Sequence, residues 1–500
     1  MTNENVKNSA QLSSNETDEI ISMNDAIEIL KTTRSTFYRW LRSGKIKGMK
    51  VAHQWRFYRK DIESFLKGQE LRIDLPMSIQ PLISRLREYA DQSGIKNLPE
   101  SDDELTQAIN LMIHLAIKMR VSDIHLAPHI KERGLESIAV LRYRIDGVLH
   151  TIADIDVRLL PAIVEKWKSM ASCDVHEKEK PQDGRILTEI DNKQIDLRAS
   201  FLPTGLGESI TVRIFDQHVT QVKLEDIDYA PHDRERLLRA IESPNGMIII
   251  SGPTGSGKTT VIYACLNHIS SPERKTMTVE SPIEYYMPWI VQVPVNLDAG
   301  VTFPIALRSI LRSDPDVIGI MEIRDLETLE IAQQCALTGH LVISQMHAGE
   351  AVRVLNRMVG MGAEPFIIGE STKLIVCHRL VRKLCPFCNE EQNPPADILE
   401  KAEKLAFANG LDWNQLQKTF HSPVGCAKCG NTGYRGRNVI AETLEMTPEI
   451  TIALGQNASI EELQSIAIKQ GMTSIAADGL KRASMGMIPL SEVLRVLSLR

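Results

Sequence analysis

The stretch GMIIISGPTGSGKTT, residues 246–260, decides the fold of the larger part of this chain. Its apolar run MIIIS is typical of a strand buried on both faces of a parallel sheet, and the run TTVIYACLNHI after the loop is typical of a helix. Between them, the segment from Gly252 to Thr259 matches G-x-x-x-x-G-K-[ST] in the strand–loop–helix context that this pattern requires. The sequence therefore predicts a phosphate-binding loop.

The residue types of this loop suit a phosphate group. Glycines allow the backbone to curl so that successive N–H groups point at the β-phosphate, and the following helix adds the positive end of its dipole. Lys258 would reach the β and γ oxygens, and the hydroxyl of Thr259 would bind Mg²⁺. We therefore predict a nucleotide site made of Gly252, Pro253, Thr254, Gly255, Ser256, Gly257, Lys258, Thr259 and Thr260.

Polar residues lie near the ends of further apolar strands, which are predicted at KTMTVE, VIGIM and HLVISQM. An open parallel sheet places its ligands at strand ends. A carboxylate there can orient a water for attack on a γ-phosphate or hold Mg²⁺ through its water shell, and a histidine can sense the phosphate. Any one acidic residue could instead be a solvated loop residue or a helix cap. Beside a phosphate loop, however, the group predicts a site that comprises Glu280, Glu284, Glu322, Arg324, Asp325, Thr338, His340 and His347.

Length and composition predict a globular chain of about three domains, since its 500 residues are 43% hydrophobic and 24% charged. An α/β fold with a parallel sheet is predicted for the P-loop domain, and the strand-rich segment before it predicts an α+β domain. The predicted organisation is a disordered lead-in at 1–20, a small helical unit at 21–70, a linker at 71–102, the α+β domain at 103–225 and the P-loop domain at 226–500.

Charge and hydropathy limit the cellular compartments and the kinds of partner that fit this chain. The formal net charge is −6, but residues 21–70 carry eleven Lys and Arg against five Asp and Glu, which leaves −12 on the remaining residues. No apolar run approaches the roughly 18–20 residues that cross a bilayer, and the first twenty residues contain no apolar segment of a signal peptide. We therefore expect a cytoplasmic protein with one local basic patch.

Several motifs occur in an order that resembles the ATPases that drive type II secretion and type IV pilus assembly. GPTGSGKTT is the phosphate loop, VESPIEY resembles the Asp box of these proteins, LRSDPDVIGIMEIRD their Walker B segment and TGHLVISQMHAGEA their His box. RYRIDGVLH, PQDGRI and DLRASFLPTGLGESITVRIFD resemble the preceding domain, and GYRGRNVIAE and DGLKRASMGMIPLSEVLRV resemble C-terminal signatures. The resemblance covers roughly residues 100–500 and implies a RecA-like motor domain that uses ATP and Mg²⁺.

The resemblance also implies roles for individual residues. Glu284 is similar to the Asp-box glutamate thought to position the attacking water, Glu322 to the Walker B glutamate near Mg²⁺, and His347 to the His-box histidine. Arg198 and Arg213 are similar to arginines that the preceding domain brings to the phosphates, a task that suits the bidentate guanidinium. The family works as a homo-hexameric ring that pushes on an inner-membrane platform protein, which implies a peripheral association with that membrane.

The chain departs from the family pattern at three positions. Ser281 stands where the Asp box usually has aspartate, Met321 where the Walker B segment usually has glycine, and Ala348 where the His box usually continues with threonine. We expect hydrolysis to survive these changes because the chain retains Lys258, Thr259, Glu284 and Glu322.

Four cysteines form two CxxC pairs, with 37 residues between Cys388 and Cys426. Each CxxC turn points two sulfurs at one centre, and two such turns complete a tetrahedral thiolate set for Zn²⁺. A redox-active CxxC is the alternative, but two pairs favour a metal, and the tetracysteine element of the family agrees. We therefore predict a structural zinc element over residues 385–429 that is bound by Cys385, Cys388, Cys426 and Cys429. The apolar neighbours of three other cysteines favour core packing for Cys265, Cys335 and Cys377.

Residues 21–70 resemble excisionase-like winged helix-turn-helix modules. Ser22 is predicted to cap the first helix with Asp25 in the capping-box position. The second helix is predicted at STFYRWLRSG, with Phe37, Trp40 and Leu41 available for packing, and two short strands are predicted to meet at residues 48–49.

The same unit carries the basic patch, which is the footprint expected of a duplex-DNA interface. The alternative partner is a docking protein, since secretion ATPases typically dock to their platform complex through N-terminal domains. The surface residues predicted for either role are Arg34, Ser35, Thr36, Tyr38, Arg39, Arg42, Lys45, Lys47, Lys50 and Arg56.

The leading functional prediction is an ATP-hydrolysing motor for type II secretion or for type IV pilus assembly. The alternatives are a DNA-associated regulator that responds to nucleotide state and a DNA-uptake motor that uses both halves of the chain. The motor is favoured because its motifs extend over about 400 of the 500 residues.

Overall fold

The structure is a computed structural model that describes residues 20–42, 46, 48–51, 54–66, 78–130, 137–191, 193–216 and 222–497. The chain divides into two compact units, of which the first ends at Ile214 and the main part of the second begins at Phe215. The predicted lead-in at 1–20 lies outside the described residues except for Ile20, which begins the first strand.

The first unit opens with a helix-turn-helix module and a three-stranded sheet in the order β1-β3-β2. The predicted capping box is confirmed, because the Asp25 N–H donates to Ser22 Oγ at 3.4 Å and the Ser22 N–H donates to Asp25 Oδ2 at 2.9 Å. The elements are β1 Ile20–Ser22, α1 Met23–Ile29, α2 Arg34–Arg42, β2 Met49–Val51, β3 Gln54–Tyr58 and α3 Arg59–Leu66.

The predicted junction of the two strands at residues 48–49 is wrong. Strand β2 begins at Met49, and Val51 pairs with Gln54, so the two strands do not join at residues 48–49. Gly48 serves packing instead, since a Cβ at this position would lie 2.5 Å from the ring of Phe57. That ring is fully buried and meets the ring of Phe37 edge to face, with the centroids 5.1 Å apart.

The rest of the first unit is the predicted α+β domain, built on a six-stranded sheet in the order β6-β5-β4-β9-β8-β7. Part of the predicted linker at 71–102 forms helix α4, which buries Leu82, Ile83 and Leu86. Strand β6 was not predicted from the sequence. The elements are α4 Gln80–Gln92, α5 Glu104–Lys118, β4 Val121–Ile130, β5 Ser137–Ile145, β6 Val148–Asp156, α6 Leu160–Met170, β7 Gln182–Ile190, β8 Lys193–Thr204 and β9 Gly207–Asp216.

The second unit is an α/β domain around a seven-stranded sheet in the order β12-β11-β13-β14-β10-β15-β18. The neighbouring strands from β12 to β15 pair in parallel, and β18 is antiparallel to β15. Its first elements are α7 Pro231–Ile241, β10 Gly246–Ser251, α8 Lys258–Ile269, β11 Thr276–Glu280, β12 Ile290–Pro294, α9 Phe303–Leu311, β13 Val317–Ile320, α10 Leu326–Leu337 and β14 Leu341–Met346. The remaining elements are α11 Ala351–Met361, α12 Pro365–Ser371, β15 Thr372–Leu384, β16 Asn389–Glu391, α13 Ala396–Ala408, β17 His421–Pro423, β18 Tyr434–Glu445, α14 Pro448–Gly455, α15 Ile460–Lys469, α16 Ile475–Ser484 and α17 Leu490–Leu497.

The four apolar strands that the sequence predicted form the middle of this sheet, and both of their faces are buried. On β10, for example, Met247 and Ile249 pack into one hydrophobic cluster, whereas Ile248 and Ile250 pack into another. Alternate side chains of a strand point to opposite faces, so two clusters mean two covered faces. The prediction of a parallel sheet buried on both sides is confirmed.

Candidate nucleotide site

The predicted phosphate loop lies between the end of β10 and the start of α8. Gly257 caps this helix with a φ of 90°, and Gly252 has a φ of 147°, which is also in the region that favours glycine. A Cβ at Gly252 would lie 2.5 Å from Ser256 Oγ and 2.6 Å from the carbonyl oxygen of His378. The curl of the loop therefore requires glycine at 252 for both conformation and space.

Lys258 is the first residue of α8, and its side chain folds back over the loop. Its Nζ donates to the carbonyl oxygens of Gly252 at 3.0 Å and Pro253 at 2.9 Å. Burial lowers the pKa of Lys258, while the negative charge of Glu322 opposes that shift. The ammonium is thus held at the loop, where a phosphate group would meet it.

Strands β14 and β13, which follow β10 in the sheet, bring two more predicted residues together at the same edge. The register aligns Ser251 with Met346, so that the segment after β14 begins beside the phosphate loop. His347 follows β14 and Glu322 follows β13, and His347 Nε2 lies 3.2 Å from Glu322 Oε1. The two side chains therefore meet at the carboxyl ends of their strands, within the group of polar residues that the sequence placed around the loop.

Electrostatics keeps this pair in defined protonation states. A hydrogen bond from Arg324 to Glu322 at 2.6 Å, assisted by His347, lowers the pKa of Glu322. Burial and the charge of Lys258 lower the pKa of His347, against the opposing effect of Glu322. At neutral pH the pair therefore consists of a carboxylate and a neutral imidazole.

The two glutamates after β11 differ in their surroundings. Glu280 is fully buried, and its carboxylate accepts hydrogen bonds from Tyr263, Thr278 and Gln292. Glu284 is only half-buried, and its backbone N–H donates to the hydroxyl of Tyr263 at 3.2 Å. Of the two glutamates, Glu284 is the more exposed.

Three of the residues singled out around the strands lie elsewhere or have a structural role. Thr338 and His340 lie at the amino end of β14, where His340 Nδ1 is 3.0 Å from the carbonyl oxygen of Cys335. The sequence showed that both flank the strand but not that its two ends face opposite edges. Asp325 caps α10 by accepting from the Thr328 N–H at 2.8 Å, which is the helix-cap alternative.

The two predicted arginines belong to the sheet of the first unit. Arg198 lies half-buried on β8, and Arg213 lies exposed on β9. Arg213 Nε donates to Asp123 Oδ1 at 2.9 Å, and Arg144 Nε lies 3.7 Å from Asp123 Oδ2. The buried carboxylate of Asp123 therefore anchors Arg213, a partner that no motif in the sequence indicated.

Ser251 is a further residue at the loop that the sequence analysis did not single out. Its hydroxyl donates to the carbonyl oxygens of Met346 at 3.2 Å and Ala348 at 3.1 Å, and it accepts from the Ala348 N–H at 3.0 Å. These bonds join the phosphate loop to the segment that carries His347. The available signal was a lone serine that ends an otherwise apolar strand.

The four predicted zinc ligands lie in one cluster, with all four Sγ atoms within 4.8 Å of one another. The Sγ–Sγ distances are 3.9 Å for Cys385–Cys426, 3.8 Å for Cys388–Cys429 and 3.8 Å for Cys426–Cys429. A tetrahedral site with Zn–S bonds of about 2.3 Å requires sulfurs about 3.8 Å apart, so the cluster fits zinc. Burial raises the pKa of Cys429, but N–H groups of Cys426 and Gly433 outweigh it and bring the pKa to about 7.

The remaining predicted cysteines are structural. Cys265, Cys335 and Cys377 are fully buried in the two hydrophobic clusters of the second unit, as predicted.

The helix-turn-helix module exposes part of its predicted basic patch. Arg34, Ser35 and Arg39 on α2 are exposed, whereas Phe37 and Leu41 are buried in the core of the module, as predicted. Three further patch residues and one packing residue are half-buried, namely Thr36, Tyr38, Arg56 and Trp40. Lys45 and Lys47 lie outside the described residues, as do the side chains of Arg42 and Lys50.

A glycine loop that joins a buried parallel strand to a helix, beside a carboxylate from a neighbouring strand end, defines a P-loop nucleoside triphosphatase. The family model described as Type II/IV secretion system protein matches residues 99–495. The chain therefore belongs to this family. A second model, described as a Helix-turn-helix domain, matches residues 20–70.

Individual relatives agree with this assignment. The chain is 38% identical over 410 residues to Type II secretion system protein E of Pectobacterium carotovorum subsp. carotovorum, which covers 80% of this chain and 79% of that protein. It is 38% identical over 403 residues to Type II secretion system ATPase E of Vibrio cholerae, which covers 80% of this chain and 77% of that protein.

A solved structure shows the same fold at lower identity. The X-ray structure of the Legionella pneumophila ATPase DotB superposes with a TM-score of 0.56 at 18% identity, covering 80% of this chain and 98% of that chain. Membership of this family makes the chain an ATPase, as predicted, and implies ATP and Mg²⁺ as its ligands. Family and fold do not favour a DNA-associated regulator or a DNA-uptake motor as the function of the whole chain. None of the described helices combines the length and apolar character that a bilayer crossing needs.

Proposed function

We propose that this chain is the cytoplasmic motor of a type II secretion or type IV pilus machine, in which ATP hydrolysis drives the assembly of pilin-like subunits. The observation that carries the proposal is the 3.2 Å pairing of Glu322 with His347 beside the loop that holds Lys258. A charged carboxylate, a neutral imidazole and an ammonium at one sheet edge are the groups that triphosphate cleavage needs.

The residues of the site divide the work. The loop N–H groups and Lys258 bind the β and γ oxygens, and the hydroxyl of Thr259 faces the same phosphates. Glu284 orients the attacking water, and Glu322 stays ionised because Arg324 lowers its pKa. His347 is neutral at pH 7 and senses whether the γ-phosphate is present.

Magnesium fits the donors that the chain offers. The Thr259 hydroxyl and the Glu322 carboxylate are hard oxygen groups of the kind that Mg²⁺ prefers. When bound, Mg²⁺ neutralises charge that develops on the phosphate oxygens. Arg198 and Arg213 supply further positive charge to the phosphates from the preceding domain, since each guanidinium can pair bidentately.

The assembled state is proposed to be a homo-hexameric ring that is peripheral to the inner membrane and acts on a platform protein there. A ring with cyclic symmetry suits a motor whose subunits hydrolyse in sequence. The zinc element is proposed to be structural, with Cys385, Cys388, Cys426 and Cys429 holding its lobe together.

The test is Mg²⁺-dependent ATP hydrolysis by the purified, assembled chain. Lys258→Ala should lower kcat by about 10²-fold or more, because it removes charge stabilisation of the transition state. Lys404→Ala, at an exposed position on α13, is the matched control and should hydrolyse as wild type does. A wild-type hexamer that does not hydrolyse ATP would contradict the proposal. Met321, which stands where the family usually has glycine, would then be the residue to substitute.

A second candidate function is duplex-DNA binding by the helix-turn-helix module, which Arg34, Ser35 and Arg39 favour because they are exposed on α2. The full chain should then bind duplex DNA with an affinity that falls steeply with salt. Arg34→Ala combined with Arg39→Ala should weaken that binding. An affinity no tighter than that of an acidic control protein would favour a docking protein as the partner.

A further inference from the structure

Glu280 is a fully buried residue beside the nucleotide site, and its carboxyl group accepts three hydrogen bonds from side chains. It accepts from Thr278 Oγ1 at 2.6 Å, from Gln292 Nε2 at 2.8 Å and from the hydroxyl of Tyr263. A buried charge is tolerated only when such partners satisfy it. Glu280 is therefore the hub of a polar network inside the second unit.

Tyr263 links this hub to the helix of the phosphate loop. It lies on α8, five residues after Lys258, and its side chain is 1% exposed. Its hydroxyl donates to Glu280 and accepts from the backbone N–H of Glu284 at 3.2 Å. Burial and the adjacent Glu280 carboxylate raise the pKa of Tyr263, so the hydroxyl keeps its proton and makes both bonds.

Gln292 holds the same loop from the other side, on the edge strand β12. Its Nε2 donates to Glu280 and also to the carbonyl oxygen of Tyr285 at 3.0 Å. Its Oε1 accepts from the Met287 N–H at 2.8 Å. The backbone of the loop that carries Glu284 is thus bonded on both sides of the carboxylate.

We propose that Tyr263 and Gln292, joined through Glu280, are positioning residues that fix Glu284 relative to the phosphate loop. This inference rests on the proposed role of Glu284 as the group that orients the attacking water. Lys258 and Tyr263 belong to one helix, so the phosphates and the water-orienting carboxylate share a rigid support. Small displacements of a reacting group cost large factors in rate, so the effect falls on kcat and spares nucleotide binding.

The experiment uses the full chain and Mg²⁺-ATP, with Tyr263→Phe and Gln292→Met as variants. Each should lower kcat by about 10-fold or more and leave KM within about twofold. Tyr229→Phe is the matched control, because it removes a buried hydroxyl from the same hydrophobic cluster that has no hydrogen-bond partner among the described residues. It should leave both constants unchanged.

A double-mutant cycle separates positioning from stability. If Tyr263 acts through Glu284, the loss of kcat on Tyr263→Phe should disappear in a Glu284→Gln background. A loss of the same size in both backgrounds would overturn the inference, as would a wild-type kcat for Tyr263→Phe. Either result leaves the proposed function standing as long as wild type hydrolyses ATP and Lys258→Ala does not.

Discussion

The carboxylate of Asp123 holds Arg213 by its Nε at 2.9 Å while most of the guanidinium stays accessible. The Asp123 side chain is 8% exposed, whereas that of Arg213 is 64% exposed. In the role proposed for Arg213, the two terminal nitrogens of the guanidinium must be available to phosphate oxygens. The bond to Asp123 uses Nε and does not occupy them. Asp123 therefore fixes the position of the Arg213 side chain, while most of the guanidinium stays exposed.

Given the role proposed for Arg213, we predict that Asp123→Asn lowers ATP hydrolysis by about 10-fold, because it loosens the Arg213 guanidinium. Arg213→Ala should lower hydrolysis at least as much, and the double variant should be no worse than Arg213→Ala alone. Steady-state ATPase rates measure all three. Asp154→Asn, at an exposed position on β6 of the same sheet, is the control and should hydrolyse as wild type does. Independent, additive losses would show that Asp123 does not act through Arg213.

The stability of the second unit should depend on pH through His378. This residue is fully buried on β15, and burial, aided by the charge of Lys258, lowers its pKa to about 3. A histidine in the unfolded chain has a pKa near 6.5. Below that pH, His378 therefore takes up a proton in the unfolded chain but not in the folded chain. The free energy of unfolding therefore has its full value above about pH 6.5 and decreases as the pH falls below that value.

The expected size of this effect is about 1.4 kcal/mol between pH 7.5 and pH 5.5. Urea unfolding of wild type and His378→Gln at the two pH values measures it, and the variant should lose about that much less stability than wild type on acidification. His176→Gln, at an exposed position, should behave as wild type does. An unchanged pH dependence in His378→Gln would mean that the imidazole becomes charged in the folded state.

The sequence predicted the parts of the site that are local in the chain. The loop from Gly252 to Thr259, the buried strands beside it and the position of Glu322 and His347 after two of those strands follow from short motifs and from the geometry of parallel sheets. Ser22 with its capping box is a similar case, because its partner lies three residues away. Such features depend on few neighbours, so a pattern of residues is enough.

What the sequence did not reveal depends on pairing at a distance. His340 and His347 flank one strand, and only the direction of β14 decides which of them reaches the site. Gly48 resembles a turn glycine until the ring of Phe57 is placed against it. The network of Tyr263 and Gln292 joins positions 29 residues apart through a buried carboxylate, and neither residue belongs to a recognisable sequence motif.

The zinc prediction has a direct readout. Wild type should contain about one zinc per chain, and Cys388→Ser should contain almost none, because the site loses one of four thiolates. Elemental mass spectrometry of the purified proteins measures this content. Cys173→Ser, outside the cluster, should keep the metal. A metal-free wild type whose two CxxC pairs are oxidised would instead favour the redox alternative.

Glu442 is expected to be a large single contributor to the stability of the second unit. This carboxylate lies on β18, is 1% exposed, and accepts from the N–H groups of Ala351 at 2.5 Å and Ile475 at 3.1 Å. Those residues begin α11 and α16, so one buried group satisfies and charge-stabilises two helix N-termini at once.

Substitution of Glu442 should lower the free energy of unfolding in proportion to the number of hydrogen-bond acceptors that are lost. Glu442→Ala leaves two buried N–H groups without that partner, and we expect the free energy of unfolding to fall by about 3 kcal/mol. Glu442→Gln retains one carbonyl oxygen and should lose roughly half as much. Thermal unfolding of both variants beside Glu235→Ala, at an exposed position on α7, measures the series. Equal stability of all three variants would mean that water reaches these helix ends and replaces the carboxylate.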